Sequence, residues 1–489
     1  MTRRPAAPAS AGTRLTRRRM LQLGLAASVA MPRLSLAQTP AQPASLPARG
    51  DLVIRGGTIL TMDPNVADLD SGDIHVRDGA IVAVGPSLDA PGAQIIGARD
   101  MIVLPGFIDT HNHLWNAFLR GSIRGDDPVL GYFPVTNRAA ELCTPEDVYN
   151  SVRFGLAEAL MSGITTVNNF SHNTRSPAHA DAEIRAMLET GMRGRFSYGP
   201  PARGKPGVMM DMADVARVQK QWLQDNPLLT LGVNLRLPPP PVLKAGGDDE
   251  IFVKEIAEAR RLGLPIAVHY GNLAHGLIPF LHKRDLLGPD WLIVHTQGFT
   301  PEERAQMVAA KVKFSMSPAI EIPYSTVRNG YIQYAELEEL GAQLSLSIDA
   351  SSAMATSDFF TVMRALLYAH KQRADTKLRI APKRIVELAT IEGARALGLE
   401  KETGSLTPGK RADIILVRKT DPNIAPVFEP YNSLVYAGQP ANVDTVIVDG
   451  RVLRAGGKFA ALDIGETMRA VTASAVRVEA EMKEILKKR

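Results

Sequence analysis

The chain has 489 residues, of which 56 are Lys or Arg and 51 are Asp or Glu, so its formal net charge is +5. Residues 1–37 contain seven arginines and no acidic residue, and the rest of the chain has 49 basic and 51 acidic side chains, a net charge of −2. The basic excess therefore belongs to the amino terminus, and we expect no nucleic-acid partner. The single cysteine, Cys143, excludes an intrachain disulfide and a cluster of thiolate metal ligands.

The amino-terminal segment has the pattern of an export signal. Arg17-Arg18-Arg19 precedes the apolar run Leu23–Met31, and a small-residue stretch ends at Ala37. This order is typical of a twin-arginine signal peptide over residues 1–37, which predicts a periplasmic or secreted protein. Because the apolar run is too short to span a bilayer, we expect no stable membrane anchor. A Pro- and Ala-rich linker is predicted over residues 38–49.

Short predicted strands lie towards both ends of the remaining chain. Residues 50–103 are β-rich and carry turn signals such as Asp78-Gly79, and similar strands return in residues 404–465 around the hairpin signal Asp449-Gly450. The closing residues, 466–489, predict a helix.

The most informative motif ends the next apolar run, in Leu104-Pro-Gly-Phe-Ile-Asp-Thr-His-Asn-His113. Alternate residues of a strand point to the same side, so His111 and His113 can offer two imidazoles to one divalent ion. The same spacing also fits two partly buried, hydrogen-bonded histidines, so the context has to decide. Three later apolar runs end in a polar residue in the same way, at His269, His295 and Asp349.

Predicted strands alternate with helical segments between residues 104 and 403, which indicates parallel β/α units. Eight such strands close a (β/α)₈ or TIM barrel, in which catalytic residues come from the carboxyl-terminal ends of strands, where all five candidates lie. Thr144 as N-cap before Pro145 predicts the start of one of the helices. The predicted strands are Val103–Asp109, Ile164–Asn169, Gly194–Tyr198, Leu229–Leu235, Pro265–His269, Trp291–His295, Lys311–Met316 and Gln343–Ile348.

Four phrases of the sequence resemble the amidohydrolase superfamily, and within it the branch that holds triazine chlorohydrolases and aminohydrolases together with deaminases of purine-like heterocycles. The resemblance covers nearly all of the chain after residue 37. It implies a metal-dependent barrel over residues 104–403, with residues 50–103 and 404–465 paired into one small β-sandwich domain. The phrases are the decapeptide ending at His113, Thr144-Pro-Glu-Asp-Val-Tyr149, Met161-Ser-Gly-Ile-Thr-Thr-Val167 and Thr403-Gly-Ser-Leu-Thr-Pro-Gly-Lys-Arg-Ala-Asp-Ile-Ile-Leu-Val417.

The resemblance also implies roles for the polar residues. Asp349 would hold the metal-bound water and take its proton, and His295 would steady the attacking hydroxide. The fourth predicted strand lacks the lysine that bridges two metals in other members, which favours one ion, Zn²⁺ with Fe²⁺ as the alternative. A small-molecule substrate and a homo-oligomer follow by family analogy. The implied metal ligands are His111, His113, His269 and Asp349.

One position departs from the deaminase pattern. Deaminases of this branch usually carry Glu three residues after the strand-five histidine, and this sequence has Asn272 there. Glu321 is the acid best placed to replace that glutamate. The alternative is that Glu321 is a solvated loop carboxylate. His172 is a candidate substrate contact or else a loop histidine, and Trp115 either stacks on a flat substrate or packs in the core.

The predicted function is therefore a mononuclear metal-dependent hydrolase of carbon–nitrogen bonds, an aminohydrolase of a nitrogen heterocycle. The first alternative is an amide, urea or lactone hydrolase on the same scaffold, which Asn272 favours. The second is a periplasmic binding protein that has kept the fold and lost catalysis.

Overall fold

The computed structural model describes residues 46–125, 127–204, 207–245, 247, 249–271, 274–324 and 330–487. The predicted signal peptide, most of the predicted linker and Asn272 lie outside these residues.

Eight parallel strands form the predicted barrel, and each strand pairs with the next one along the chain. The first and last strands meet near their carboxyl-terminal ends, where His113 N–H donates to Asp349 O (2.6 Å) and Asp349 N–H to His111 O (2.8 Å). The strands are β6 (Phe107–Asn112), β7 (Ile164–Ser171), β8 (Arg193–Tyr198), β9 (Leu229–Asn234), β10 (Ile266–His269), β11 (Trp291–Val294), β12 (Lys313–Met316) and β13 (Gln343–Leu346).

A second, mixed sheet takes strands from both ends of the chain. It is ordered β17-β16-β15-β14-β5-β1-β2-β3, with β4 beside β1, where β1 is Leu52–Ile59, β2 Leu69–Arg77, β3 Ala80–Gly85, β4 Gln94–Gly97, β5 Met101–Pro105, β14 Ile414–Arg418, β15 Val443–Val448, β16 Arg451–Ala455 and β17 Lys458–Phe459. The sheet curls, because Ile81 N–H donates to Lys410 O (2.8 Å) and Ala412 N–H to Gly79 O (2.9 Å). It thereby encloses its own apolar core. The predicted fold class is confirmed, and the predicted domain boundaries remain predictions.

The first barrel strand is placed differently from its prediction. The expected strand Val103–Asp109 divides at Gly106 into β5, which pairs with β14 of the mixed sheet, and β6, which opens the barrel. Gly106 allows this change of sheet, since a Cβ there would lie 2.1 Å from the Thr165 side chain. One continuous apolar run thus serves two sheets.

Helices cover the barrel, and several of them begin at a residue whose side chain caps the first turn. The predicted start of α2 is confirmed: Thr144 and Asp147 form a capping box with Pro145 in the first turn. The helices are α1 (Tyr132–Leu142), α2 (Pro145–Met161), α3 (Pro177–Thr190), α4 (Met212–Val218), α5 (Pro240–Ala245), α6 (Glu250–Arg261), α7 (Leu277–Lys283), α8 (Pro301–Ala309), α9 (Pro318–Tyr324), α10 (Tyr334–Glu339), α11 (Ser351–Met354), α12 (Phe359–Lys371), α13 (Pro382–Ala389), α14 (Ile391–Leu397), α15 (Pro430–Ala437) and α16 (Ile464–Lys487).

The carboxyl-terminal helix α16 supports the segment that follows the histidine motif. Its buried Val471 and Val478 belong to the same apolar cluster as Trp115, which lies in the short 3₁₀ helix Leu114–Leu119. Asn150 of α2 donates to the Ser474 hydroxyl (3.2 Å) and fixes α16 against α2. In the described part of the chain, no helix is both long enough and apolar enough to cross a membrane.

Hydrogen-bonded hydroxyls fill part of the barrel interior. The Thr110 hydroxyl contacts the hydroxyls of Ser315 (2.8 Å) and Ser345 (3.0 Å), and Ser347 contacts Ser315 and Ser317 (both 2.8 Å). All five side chains are buried, and their mutual bonds offset the loss of water. The network ties β6 to β12 and β13, the strands next to the barrel closure.

Candidate metal centre

Four predicted ligands converge at the carboxyl-terminal end of the barrel. His111 lies in β6 and His113 directly follows it, His269 ends β10, and Asp349 lies three residues beyond β13. Each offers one ligand atom, and these atoms all lie within 4.8 Å of one another. Residues up to 238 positions apart in sequence thus form one cluster because parallel strands deliver their ends to the same face.

The donor set fits a single divalent ion. Asp349 Oδ1 lies 3.3 Å from Nε2 of both His111 and His113, and His113 Nε2 lies 3.2 Å from His269 Nε2. Four ligands at ~2.0–2.1 Å from a zinc ion in a tetrahedron are about 3.3 Å apart. Both ring nitrogens of His111 are buried and have no hydrogen-bond partner among the described residues. Imidazole and carboxylate ligands suit zinc and iron, so the residues fit the implied metal.

The protonation states of the cluster favour a cation. Burial, followed by the charge of His113, lowers the pKa of His111 to about 3. Burial also holds the pKa of His269 well below its usual value. Burial alone would raise the pKa of Asp349, but the facing nitrogens of His111 and His113 bring it well below its usual range. At neutral pH, His111 and His269 therefore carry free lone pairs and Asp349 is ionised, as metal binding requires.

His113 is held by a contact outside the cluster. Its Nδ1 lies 3.2 Å from the backbone oxygen of Phe170. Since a carbonyl oxygen only accepts, Nδ1 carries the hydrogen, and Nε2 keeps its lone pair for a ligand.

His295 lies beside the cluster without being part of it. It directly follows β11, and its Nε2 is 3.9 Å from Asp349 Oδ2. Both His295 and Asp349 have positive φ, 71° and 72°, a conformation that residues with a Cβ rarely adopt. Such strained backbone is typical of functional positions. The two predicted catalytic residues thus come together beyond the ends of β11 and β13, which are separated by β12.

Of the two residues discussed at the departure from the deaminase pattern, the structure describes Glu321 but not Asn272. Glu321 is 1% exposed and lies in α9, so its alternative reading as a solvated loop carboxylate is wrong. Its Oε1 is 3.1 Å from His295 Nδ1. Asn272 lies outside the described residues, and its position relative to the cluster remains a prediction.

His172 contacts the ring of His113, and Trp115 in turn contacts His172. The His172 ring meets the His113 ring edge-on at 4.3 Å between centroids, and Trp115 Nε1–H donates to His172 Nδ1 (3.4 Å). Trp115 is fully buried, whereas His172 is half-buried. Trp115 therefore meets the site through His172, and a substrate contact by either residue remains a prediction.

Two residues of the centre were missed by the sequence analysis. The Phe170 ring packs against His111 and His269, with 4.6 Å between centroids in both cases. Asp109 is fully buried and accepts from Ile348 N–H (2.9 Å), which joins the barrel's first strand to the end of the last. Burial raises the pKa of Asp109 to about 7. The position of Asp109 two residues before His111 was an available signal, but Phe170 resembles any apolar strand residue.

Known proteins resemble this chain over most of its length. A 5′-deoxyadenosine deaminase of Methanosarcina acetivorans is 26% identical over 427 residues, which cover 82% of this chain and 92% of the relative. An adenosine deaminase of Xanthomonas campestris, solved with bound zinc, superposes with a TM-score of 0.76 at 21% identity, covering 89% of this chain and all of that one. An atrazine chlorohydrolase of Arthrobacter aurescens, solved with zinc, superposes with a TM-score of 0.74 at 22% identity, covering 87% of this chain and all of that one.

The sequence profile described as the Amidohydrolase family matches residues 102–453, a span that contains the whole barrel and every member of the metal cluster. This match agrees with the predicted class, a metal-dependent hydrolase of carbon–nitrogen bonds. The chain belongs to the amidohydrolase family.

Proposed function

We propose that the protein is a mononuclear aminohydrolase that removes an amino group from a nitrogen heterocycle of the purine type, a small-molecule substrate. The observation that carries this proposal is the cluster of His111, His113, His269 and Asp349 with His295 next to it. Relatives named as adenosine-type deaminases over most of their length support the choice of substrate class.

The proposed cofactor is one zinc ion, with Fe²⁺ as the alternative. The zinc in the similar adenosine deaminase and chlorohydrolase structures supports zinc. When bound, such an ion lowers the pKa of its water ligand towards neutrality and so supplies a hydroxide.

Asp349 and His295 would supply the proton transfers around this hydroxide. Asp349 is ionised and so can accept a proton at Oδ2, the oxygen that lies 3.9 Å from His295 Nε2. Burial lowers the pKa of His295, but the hydrogen bond with Glu321 and the charge of Asp349 raise it above 6.5 overall. When Nε2 also takes up a proton, His295 becomes cationic and can stabilise negative charge that develops on the attacked carbon's substituents. Asp349 and His295 thus offer a base and a group that can become cationic, 3.9 Å apart.

The experiment is product identification. Zinc-loaded protein is incubated with aminated purines, pyrimidines and triazines, and with amides, ureas and lactones, and products are identified by mass spectrometry beside Asp349→Ala. Ammonia release from a ring by the wild type alone supports the proposal.

An amide, urea or lactone hydrolase is the second candidate, and the sequence favours it at one position. Asn272 cannot donate a proton to a ring nitrogen as the glutamate of the deaminase pattern would. Cleavage of acyl or carbamoyl bonds without ring deamination would establish this alternative. Full metal occupancy without turnover of any compound would instead favour a binding protein.

We also propose that residues 1–37 direct export through the twin-arginine route to the periplasm or the medium and are then removed. We further propose that the protein is a homo-oligomer without a stable membrane anchor. The arginine-rich start, the apolar run and the small residues before Ala37 support the export. Cell fractionation of the full chain and of a variant with Arg17 and Arg18 changed to Lys tests it. Loss of periplasmic protein in the variant is the expected result.

A further inference from the structure

A buried carboxylate faces His295 from the side away from the metal cluster. Glu321 lies in α9, which begins two residues after β12. Its Oε1 is 3.1 Å from His295 Nδ1, and its backbone oxygen accepts from Gln297 Nε2 (3.1 Å). The end of β11 and the start of α9 are therefore joined by two hydrogen bonds, one of which is made by the carboxylate.

The bonding of this carboxylate differs from that of a buried acid with a structural role. Glu183 is also fully buried, and its two oxygens accept from Ser171 Oγ (2.7 Å) and Asn169 Nδ2 (2.8 Å). Glu321 Oε2 is buried and has no hydrogen-bond partner among the described residues, so His295 is the one side chain there that is hydrogen-bonded to its carboxylate. A buried carboxylate with so few donors is costly to folding. Its retention is explained by what it does to His295.

An ionised carboxylate only accepts hydrogen bonds, so a hydrogen bond between Oε1 and His295 requires the hydrogen on Nδ1. Nε2 is then the nitrogen turned towards Asp349, 3.9 Å from Oδ2. The backbone of His295 is already in the left-handed region, and its N–H is used by Ser315 O (2.9 Å). Among the described residues, Glu321 makes the one hydrogen bond to the His295 ring, so it controls which ring nitrogen meets the reactants.

We propose that Glu321 is a positioning residue, which fixes the tautomer and the ring orientation of His295 so that Nε2 is presented beside Asp349. This inference rests on the proposed function for its effect on turnover, but the tautomer itself is a property of the folded protein. It gives Glu321 a role through His295 rather than a direct contact with substrate.

The tautomer is measured by NMR at alkaline pH, where a histidine ring is neutral, on zinc-loaded protein with ¹⁵N-labelled histidine, and His295→Gln assigns the signals. In the wild type we expect His295 with the hydrogen on Nδ1. In Glu321→Ala we expect a mixture of tautomers, a fall in kcat of at least tenfold, and unchanged zinc content. Glu321→Gln keeps a carbonyl acceptor for Nδ1–H, so it should retain the tautomer and more of the activity than the alanine variant. Glu255→Gln is the control, because Glu255 is also buried and accepts from Met210 N–H (2.6 Å) away from the cluster.

Wild-type nitrogen signals for His295 in Glu321→Ala would overturn the proposal. If Glu321→Ala does not fold, Glu321→Gln provides the test. This variant replaces the charge-assisted hydrogen bond from His295 Nδ1–H with a neutral one, which must move the resonance of the Nδ1-bound proton upfield. An unmoved resonance overturns the proposal as well. An altered tautomer with unchanged kcat would refute the role in the reaction. Failure of the wild type to release ammonia from any ring would refute the proposed function and leave the tautomer result intact.

Discussion

Removing the divalent ion should lower the thermal stability of the protein by a measurable amount. The cluster suits a cation: both nitrogens of His111 are buried and have no hydrogen-bond partner in the described part of the chain, and Asp349 is ionised beside them. An ion that binds the folded state alone stabilises it by about 2.7 kcal/mol at 100 times its Kd and about 4.1 kcal/mol at 1,000 times. Unfolding entropy of ~2.1 cal/mol/K per residue gives about 0.9 kcal/mol/K for roughly 440 residues. The expected loss of Tm is therefore about 3 to 5 °C.

The assay is differential scanning calorimetry of zinc-loaded and chelator-treated protein, with metal content measured in parallel. His269→Ala removes one ligand from the cluster and should abolish the metal-dependent part of the Tm. His282→Ala is the matched control, since His282 is an exposed histidine of α7 and should leave the shift unchanged. A full metal-dependent shift in His269→Ala would place the ion elsewhere and refute the assignment of these ligands.

Two further predictions concern buried charges outside the cluster. Burial raises the pKa of Glu183 from 4.5 to about 7, so its contribution to stability is present below about pH 4.5 and is lost as the pH rises to about 7. As the pH rises between these values, the unfolding free energy of Glu183→Gln, measured with urea, should increase by roughly 3 kcal/mol relative to that of the wild type. Parallel pH profiles of the two proteins would contradict this prediction. Asp413→Ala should lower the unfolding free energy by about 3–5 kcal/mol, because it leaves the buried Arg193, 2.5 Å from Asp413, without its closest carboxylate. Glu250→Ala, which breaks an exposed ion pair, should change it by at most ~1 kcal/mol, and equal losses in these two variants would refute the distinction.

The barrel and the four side chains of the candidate metal cluster were predictable because they depend on local signals. A short apolar run that ends in a polar residue marks a buried strand and its carboxyl-terminal end, and four such runs deliver His113, His269, His295 and Asp349 to one face. The family resemblance added the roles, which the residues alone left open. The match of the Amidohydrolase family to residues 102–453 agrees with that resemblance.

Features that depend on tertiary context could not be predicted. The run around Gly106 is apolar on both sides, so hydrophobicity could not show that β5 and β6 belong to different sheets. Glu321 is buried and contacts His295, 26 residues away in sequence. A carboxylate just beyond a strand reads equally well as solvated or buried until its partner is known. Phe170 could not be predicted for the same reason, because its ring on β7 contacts His111 on β6 and His269 on β10.

We propose that this cluster activates water to replace an amino group on a ring. This proposal is tested most directly by incubating zinc-loaded protein with an aminated purine in H₂¹⁸O and analysing the product by mass spectrometry. We predict one ¹⁸O atom in the ring product for each ammonia released, and neither product with Asp349→Ala. Ammonia release that persists in Asp349→Ala, or a deaminated ring without ¹⁸O, would contradict the account.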